Sequence, residues 1–335
     1  MARSLFESEF LYIDGKSYFE IDFARLEKQH KEFDCALTVL IQNAINDDPA
    51  FSLDASGKVI NIDFGGGEGY YRSPSRFMGI AYIGETLAET FEGPADPLDL
   101  MKEIIHPTFA TGDCRGYRST EYIEDVHRIS KIEKDLENDL PAQRKLDHKQ
   151  KCIFLDRDGV LNVFGPYVVE PGILKIKEDA AEAVRLINES GYLAIVATNQ
   201  PIIAFGESDL ITLEQVHFKL HHLLNQEGAI LDDLYFCPHF PEARGKKCNM
   251  DYIKACDCRK PGTGMLMRAA EKYNIDLSAS WMIGDTTQDV QTGINAGTKT
   301  VLITSGDPNP YKKFGDAKPD HVFNNLLEAV NHILK

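Results

Sequence analysis

The stretch CIFLDRDGVLN, residues 152–162, decides the fold of the second half of this chain. Its first four residues, 152–155, form a short apolar run, which predicts a buried β-strand. An acidic turn follows at once, so the strand ends in the polar segment DRDGVLN, residues 156–162. A buried strand that stops at charged side chains is typical of a sheet with a polar site at one edge.

Strand and helix patterns alternate after this segment. Further strands are predicted at 192–200, 231–239, 281–285 and 298–304, and helices at 180–190, 212–228, 265–275 and 287–297. Alternation of this kind implies βαβ units and a parallel sheet. Ligands of such sheets bind beyond the carboxyl ends of the strands, so the chemistry is expected there.

The length of 335 residues favours two domains, because a domain usually has roughly 150 residues. The densely charged stretch KIEKDLENDLPAQRKLDHKQK, residues 131–151, reads as a polar helix that runs into a linker. We therefore predict a first domain at 1–130, a charged linker at 131–150 and a second domain at 151–335. The first domain also has α/β patterning, with weaker signals.

The overall charge excludes two classes of partner. Acidic side chains outnumber basic ones by 52 to 36, which gives a formal net charge of −16. Nucleic acids and anionic membranes both require basic surfaces, so neither is an expected partner. The first residues, MARSLFESEF, lack an apolar region, and no apolar stretch approaches the ~20 residues of a membrane span. We therefore expect a cytoplasmic protein.

Polar segments follow the predicted strands in a consistent order. They are DRDGVLN (156–162), TNQ (198–200), CRKP (258–261) and GDTTQD (284–289). Each one alone is a weak signal, because turns rich in Asp and Asn are common. Their joint placement favours phosphoryl transfer, which needs a nucleophile, a proton donor and positive charge around the phosphoryl oxygens.

The two aspartates of DRDGVLN are the candidate catalytic residues. Asp156 can attack phosphorus to form an aspartyl-phosphate. Asp158 can protonate the leaving sugar oxygen and later deprotonate the attacking water. Thr198 can donate a hydrogen bond to the phosphoryl group, Asn199 is a further candidate for substrate binding, and Lys260 offsets the remaining negative charge.

Several carboxylates beside an anionic phosphate would repel it, so a cation is expected. Asp156 and Asp285, together with the backbone carbonyl of Asp158 and water, form the hard oxygen set that Mg²⁺ prefers. Asp289 is expected outside these direct ligands. The sequence therefore predicts a catalytic Mg²⁺ at the same edge of the sheet.

These segments resemble the haloacid dehalogenase superfamily of phosphohydrolases over residues 150–335. Within it, ATNQPIIAFGE, CDCRKP and SWMIGDTTQDVQTGINAG are similar to heptose bisphosphate phosphatases, and histidinol-phosphate phosphatases carry similar motifs. The resemblance implies an α/β fold with a C-terminal Rossmann-like parallel sheet. It also implies removal of the C7 phosphate from D-glycero-D-manno-heptose 1,7-bisphosphate, on the route to nucleotide-activated heptose. Arg259 is then expected to contact the second phosphate or the sugar.

Two positions depart from that family pattern. Phe205 stands where the family often has an arginine, and Thr263 stands where it commonly has a proline. Neither position belongs to the proposed nucleophile or the proposed magnesium ligands. The loss of a cation at Phe205 is expected to weaken substrate binding.

A cysteine cluster lies in the loop before CRKP. Of the seven cysteines, four fall within residues 237–258, and such clustering in a cytosolic chain favours a metal over disulfides. The candidate ligands are Cys237, His239, Cys256 and Cys258. Three thiolates and an imidazole suffice for a structural Zn²⁺ site, although small buried hydrophobes beside a surface histidine are the alternative. The family resemblance supports zinc, which would pin the loop so that Arg259 and Lys260 lie over the active site. Cys248 has no assigned purpose.

The first part of the chain resembles the later part of a sugar-phosphate nucleotidyltransferase. The resemblance rests on GKSYFEIDFARLEKQH (15–30), RFMGIAYI (76–83) and GYRSTEYIEDVHRISKIEKDL (116–136). Against the transferase pattern, the chain is expected to start after the glycine-rich nucleotide-binding loop, Lys16 replaces a metal-binding aspartate, and VHRIS replaces a Gly-Thr-Pro turn after Asp125. The glycine run 65–69 predicts a loop rather than a phosphate cradle. We expect residues 1–130 to lack transferase activity. Their expected role is to pack on the second domain, to mediate self-association or to require a separate partner.

Other functions stay open at this point. The same site could hydrolyse histidinol phosphate, or the chain could be a subunit of a nucleotide-sugar enzyme in which the phosphatase half is incidental. A non-catalytic scaffold is disfavoured, because it needs none of the candidate catalytic side chains.

Overall fold

The computed structural model of this chain divides into two units, Met1–Lys145 and Leu146–Lys335. It describes residues 9–13, 15, 17–43, 50–53, 58–63, 75–89, 104–125, 129–137, 140, 144–145, 147–245, 247–306, 309–310 and 314–335. Lys16, the glycine run 65–69 and residues 126–128 of VHRIS lie outside the described residues. The division falls within residues 131–151, and the finer boundaries at 130 and 150 stay a prediction.

The first unit contains a mixed sheet and a separate two-stranded ladder. The strands are β1 (Phe10–Ile13), β2 (Ser17–Glu20), β3 (Leu37–Asn43), β4 (Ala50–Leu53), β5 (Val59–Asp63), β6 (Ser75–Ile83), β7 (Cys114–Arg118) and β8 (Tyr122–Asp125). The sheet has the order β5-β4-β6-β3-β7, with β1 also paired to β6, and β2 pairs with β8. The helices are α1 (Phe23–Phe33), α2 (Glu85–Ala88), α3 (His106–Thr111) and α4 (Ile129–Glu137). This is the smaller α/β segment that the sequence predicts.

A six-stranded parallel sheet forms the centre of the second unit. Its strands are β9 (Cys152–Leu155), β10 (Leu193–Asn199), β11 (Asp233–Cys237), β12 (Trp281–Gly284), β13 (Lys299–Ile303) and β14 (His321–Phe323). Their order across the sheet is β11-β10-β9-β12-β13-β14. The predicted parallel sheet is confirmed. The sequence analysis missed β14, because three residues at the sheet edge are too few to show a strand pattern.

The helices of the second unit connect these strands. They are α5 (Ala180–Glu189), α6 (Leu210–Gln226), α7 (Gly264–Tyr273), α8 (Thr287–Ala296) and α9 (Leu326–Ile333). Side chains of Asp209 and Asn325 cap α6 and α9, which satisfies backbone N–H groups that a helix start leaves open. Within the described residues, no helix combines the length and the apolar character needed to cross a membrane.

Strand β9, which immediately precedes DRDGVLN, is covered on both faces. Ile153 and Leu155 pack in one apolar core, whereas Cys152 and Phe154 pack in a second one. All four side chains are fully buried. Because successive strand side chains point to opposite faces, a strand covered on both sides must be apolar throughout. The run CIFL meets this requirement, and it ends where the sheet edge becomes polar.

The sheet core allows a matched test of this packing. Val301 in β13 is fully buried, whereas Val322 on the neighbouring strand β14 is 48% exposed. We expect Val301→Ala to lower the free energy of unfolding by about 2–3 kcal/mol, because it removes buried methyl groups and leaves a cavity. Val322→Ala should change it by less than about 1 kcal/mol. The chain has one tryptophan, Trp281 in β12, so its fluorescence during urea unfolding reports on this unit. Equal losses in the two variants would contradict the packing described.

Candidate active site and metal centre

The carboxyl ends of neighbouring strands bring the predicted phosphoryl-transfer residues together. Strand β9 lies between β10 and β12, and Leu155 pairs with Ile283 of β12. Asp156 follows Leu155, and its backbone N–H donates to the carbonyl of Ile283 at 2.9 Å. Thr198 near the end of β10 and Asp285 just after β12 therefore stand at the same edge as Asp156, as the parallel order requires.

Three carboxylates and one lysine form the centre of this edge. Side-chain oxygens of Asp156, Asp285 and Asp289 lie within 4.8 Å of one another. The Nζ atom of Lys260 lies 2.9 Å from Asp156 Oδ1 and 2.5 Å from Asp289 Oδ1. Because these groups are largely removed from water, one ammonium leaves the cluster negatively charged. Hard carboxylate oxygens in this arrangement fit a Mg²⁺ ion.

The surroundings shift the pKa values of the central pair. Burial raises the pKa of Asp156 to about 6, although Lys260 opposes this rise. Burial disfavours the charged form of Lys260, but Asp156 and Asp289 outweigh it and raise the pKa of this lysine. Lys260 therefore stays cationic, and Asp156 changes its charge at a pH of about 6.

Asp289 is engaged on both of its oxygens. Oδ1 contacts Lys260, and Oδ2 accepts hydrogen bonds from the backbone N–H (3.2 Å) and the hydroxyl (2.7 Å) of Thr286. The contact with the backbone N–H is part of a capping box at the start of α8. These contacts favour the predicted place of Asp289 outside the direct metal ligands, where it fixes both the lysine and the helix.

Asp158 lies in a very different environment from Asp156. The fully buried guanidinium of Arg157 donates from Nη2 (2.9 Å) and Nε (3.2 Å) to Asp158 Oδ1. Asn162 Nδ2 donates to the same oxygen at 3.0 Å, and Gln200 Nε2 donates to Oδ2 at 2.9 Å. Burial alone would raise the pKa of Asp158, but Arg157 and these donors hold it below its usual value. The sequence analysis missed all three partners, although they lie inside the segments DRDGVLN and TNQ.

The TNQ segment serves mainly to orient its neighbours. The Thr198 hydroxyl accepts a hydrogen bond from Gln200 at 3.0 Å. Asn199 Oδ1 accepts from the backbone N–H of Lys260 (3.0 Å), and Asn199 Nδ2 donates to the carbonyl of Lys260 (3.3 Å). Gln288 also donates to that carbonyl. In this structure Asn199 therefore positions Lys260, and direct contact of Asn199 with a phosphate stays a prediction.

Asp285 is held against the loop that follows Asp156. Gly159 has a φ of +80°, and a Cβ atom at this position would lie 1.9 Å from Asp285 Oδ2. Only glycine fits there without displacing the carboxylate. Lys177 donates to the carbonyl of Gly159 (3.1 Å) and to Ser305 (2.8 Å), so it ties this loop to the loop after β13. Lys177 is a second contributor that the sequence analysis did not identify.

The cysteine cluster forms a compact tetrad. Ligand atoms of Cys237, His239, Cys256 and Cys258 lie within 4.8 Å of one another. The Cys256 sulfur is 3.5 Å from Cys237 and 3.3 Å from Cys258, and His239 Nδ1 is 3.4 Å from the Cys258 sulfur. Four ligands about 2.3 Å from a tetrahedral zinc would be about 3.8 Å apart, so this donor set fits Zn²⁺. A hydrogen bond from Cys237 lowers the pKa of Cys258 to about 5, which favours the thiolate that binds metal.

Comparison with known proteins gives consistent relatives for the second unit. A family model described as HAD-hydrolase-like matches residues 257–329. The D-glycero-beta-D-manno-heptose-1,7-bisphosphate 7-phosphatase of Haemophilus ducreyi is 36% identical over 186 residues, which cover 55% of this chain and 98% of that protein. The enzyme of the same name from Escherichia coli K12 is 35% identical and is covered to 94%.

The chain belongs to the HAD-like phosphatase family. Members of this family hydrolyse phosphate monoesters and typically use Mg²⁺. Among solved structures, the D,D-heptose 1,7-bisphosphate phosphatase of B. bronchiseptica, complexed with magnesium and phosphate, is 30% identical. It has a TM-score of 0.49, and the match covers 55% of this chain and 98% of that one.

Arg259 immediately precedes Lys260 and contacts the segment that carries His239 and Phe240. Its Nη1 donates to the carbonyl of His239 at 3.1 Å, and its guanidinium carbon lies 4.5 Å from the centre of the Phe240 ring. Phe205 is buried, and its ring centre is 4.9 Å from that of Phe240.

The pair between Lys260 and Asp156 predicts a stability that depends on pH. In metal-free protein at pH 8, Lys260→Met should cost about 3–5 kcal/mol, because it leaves buried carboxylates without their cation. Lys260 lowers the pKa of Asp156, so the variant raises that pKa above about 6. A group with a raised pKa in the folded state loses its stabilising effect as pH rises, so the deficit should shrink when pH falls to 5.

Unfolding followed by Trp281 fluorescence measures this deficit at each pH. Lys254→Met is the matched control, because Lys254 is exposed on the same loop. A Lys260→Met deficit that stays constant from pH 5 to 8 would contradict the assignment of a charge pair.

Proposed function

We propose that the second unit hydrolyses the C7 phosphate of D-glycero-D-manno-heptose 1,7-bisphosphate through an aspartyl-phosphate on Asp156. One observation carries the reaction type. Two aspartates at the end of the central strand have opposite environments, Asp156 beside Lys260 and Asp158 held by Arg157. These contacts hold the two carboxyls in separate positions, as a nucleophile and a neighbouring acid–base group require. The heptose substrate is supported by relatives that are 35–36% identical over this unit.

In the first step, a carboxylate oxygen of Asp156 attacks phosphorus and the bond from phosphorus to the sugar oxygen breaks. Asp158 gives its proton to that leaving oxygen. The phosphate of the substrate brings negative charge beside Asp158, which raises its pKa and allows it to carry the proton in the complex.

In the second step, water attacks the phosphorus of the aspartyl-phosphate. Asp158 takes the proton from this water, the acyl phosphate bond breaks, and inorganic phosphate leaves with Asp156 restored. Lys260 keeps Asp156 ionised for the first step and offsets charge on the phosphoryl oxygens. Thr198 lies at the same edge, where its hydroxyl can donate to the phosphoryl group.

Mg²⁺ is the proposed cofactor of this site. Its direct ligands would be Asp156, Asp285 and the backbone carbonyl of Asp158, with Asp289 outside them. The ion would neutralise the carboxylates and the phosphoryl oxygens and would lower the charge repulsion between them. The proximity of the carboxylate oxygens, within 4.8 Å, supports this assignment.

Asp156→Asn tests the nucleophile. The amide has nearly the same shape but cannot form the aspartyl-phosphate, so phosphatase turnover should fall by at least about 10³-fold. Asp316→Asn, at an exposed aspartate of the same unit, should leave turnover unchanged. Phosphate release from heptose 1,7-bisphosphate measures both variants, and thermal unfolding checks the fold. Turnover that persists in Asp156→Asn would exclude Asp156 as the nucleophile.

A second substrate has to be compared directly, because histidinol-phosphate phosphatases carry similar motifs. The comparison measures kcat/KM of the wild-type protein for heptose 1,7-bisphosphate and for histidinol phosphate under the same Mg²⁺ concentration. A preference for the heptose supports the proposal. A preference for histidinol phosphate would show that the proposed substrate is wrong, although the reaction type would stand.

We also propose that the cysteine tetrad binds one structural Zn²⁺. The ion would hold the loop of residues 237–258 and thereby fix Arg259 and Lys260, which follow the last ligand, Cys258, in the sequence. Metal analysis of purified protein should find about one zinc per chain. Cys258→Ser should lose zinc and lower the thermal unfolding temperature, while Cys248→Ser should retain the full content. Absence of zinc from wild-type protein purified without chelator would refute the assignment.

Residues 1–130 are proposed as a transferase-like segment without nucleotidyl-transfer activity that serves self-association or a separate partner. The matches to the curated phosphatases cover 55% of the chain or less and do not bear on this segment. The rival is a nucleotide-sugar enzyme with an incidental phosphatase half. Nucleotidyl transfer from a nucleoside triphosphate to heptose 1-phosphate that survives Asp156→Asn would favour that rival.

A further inference from the structure

Two arginines share one aromatic ring in the loop that carries the cysteine tetrad. The guanidinium carbon of Arg244 lies 4.3 Å from the centre of the Phe240 ring, and that of Arg259 lies 4.5 Å from it. The two charges are therefore at most 8.8 Å apart. Arg244 also lies 5.6 Å from the ring centre of Phe205. Cations bind favourably over aromatic faces, but the ring does not neutralise them.

No carboxylate balances this pair of charges in the part of the chain that the structure describes. Arg259 donates one N–H to the carbonyl of His239, which leaves most of its donors unused. Arg244 is exposed at the surface of the loop. The two guanidinium groups repel each other, and an anion that contacts both of them would offset that repulsion.

The loop position of Arg244 is fixed by specific contacts. The Cys248 thiol accepts a hydrogen bond from the backbone N–H of Arg244 (3.0 Å) and donates to its carbonyl (3.1 Å). Gly206 has a φ of +67°, and a Cβ there would lie 2.0 Å from the carbonyl oxygen of Lys247. The loop therefore rests directly on the turn that carries Phe205. The Cys248 contacts fix the backbone of Arg244, whose guanidinium lies near the rings of Phe205 and Phe240.

Arg259 connects the arginine pair to the catalytic centre along the chain. Arg259 precedes Lys260, whose Nζ contacts Asp156 at 2.9 Å. Tyr167, which is 48% exposed, places its ring centre 6.2 Å from that of Phe205 and extends the aromatic floor. The Phe240 ring of this aromatic surface contacts Arg259, the residue that precedes Lys260.

We propose that Arg244 is a specificity-determining residue that, together with Arg259, binds the second phosphate of the substrate. This inference rests on the proposed bisphosphate phosphatase function and adds to it a cation from outside the CRKP segment. A planar guanidinium matches phosphate oxygens through two parallel N–H donors, which a lysine cannot reproduce. The rings of Phe240 and Phe205 orient the guanidinium of Arg244, and Cys248 is a positioning residue for Arg244.

The test compares two substrates that share the reacting phosphate and differ only in the second one. These are heptose 1,7-bisphosphate and heptose 7-phosphate, and the readout is the ratio of their kcat/KM values. Arg244→Ala should lower this ratio by about 10- to 100-fold, mainly through a higher KM for the bisphosphate, because it removes hydrogen bonds to a charged group. Arg244→Lys should recover only part of it. Lys247→Ala, which removes an exposed cation three residues away, should leave the ratio unchanged.

The outcomes separate this proposal from the function on which it rests. If wild-type protein releases phosphate from p-nitrophenyl phosphate but not from heptose 1,7-bisphosphate, both are overturned. If wild-type protein hydrolyses the bisphosphate and Arg244→Ala keeps the wild-type ratio, or loses activity on both substrates equally, only the role of Arg244 is overturned. Cys248→Ala should lower the ratio in the same direction, whereas Cys248→Ser, which keeps a donor and an acceptor, should retain it.

Discussion

The whole site depends on how the fold tolerates carboxylates crowded at one edge of a buried sheet. Asp156, Asp285 and Asp289 lie within 4.8 Å of one another, and Lys260 is the cation that contacts two of them. Charges withdrawn from water are unfavourable unless they are paired and hydrogen-bonded. The surrounding structure is arranged accordingly, since Asn199 holds the backbone of Lys260 from both sides. The remaining negative charge is what makes the edge suitable for a divalent cation.

The parallel sheet and the catalytic edge could be predicted because both follow from local patterns. A strand covered on two faces must be continuously apolar, and CIFL shows this over residues 152–155. Once the strands are known to be parallel, Asp156, Thr198 and Asp285 have to meet at their carboxyl ends. The short edge strand β14 could not be predicted, because its stability comes from pairing with β13 rather than from its own three residues.

Side-chain partnerships inside the motifs could not be predicted in the same way. Arg157 stands between two aspartates, and sequence spacing does not tell which carboxylate its guanidinium binds. The strand geometry answers this, because it buries Arg157 and leaves Asp158 as its partner. The partner of Asn199 could not be predicted either, since a polar side chain at a strand end can bind the substrate or the backbone of a neighbouring segment. Here the contacts to Lys260 use both ends of its amide.

The charge distribution explains how an acidic chain can hold an anionic substrate. The net charge of −16 belongs to the whole sequence, but residues 244–260 contain six basic and two acidic side chains. This basic stretch includes Arg244, Arg259 and Lys260, and it lies within or beside the loop bracketed by the cysteine tetrad. Because screening limits electrostatic effects to about 8 Å at physiological salt, charges close to the site affect substrate binding more than the net charge of the chain does. A metal that fixes this loop would therefore act on substrate binding without touching the substrate.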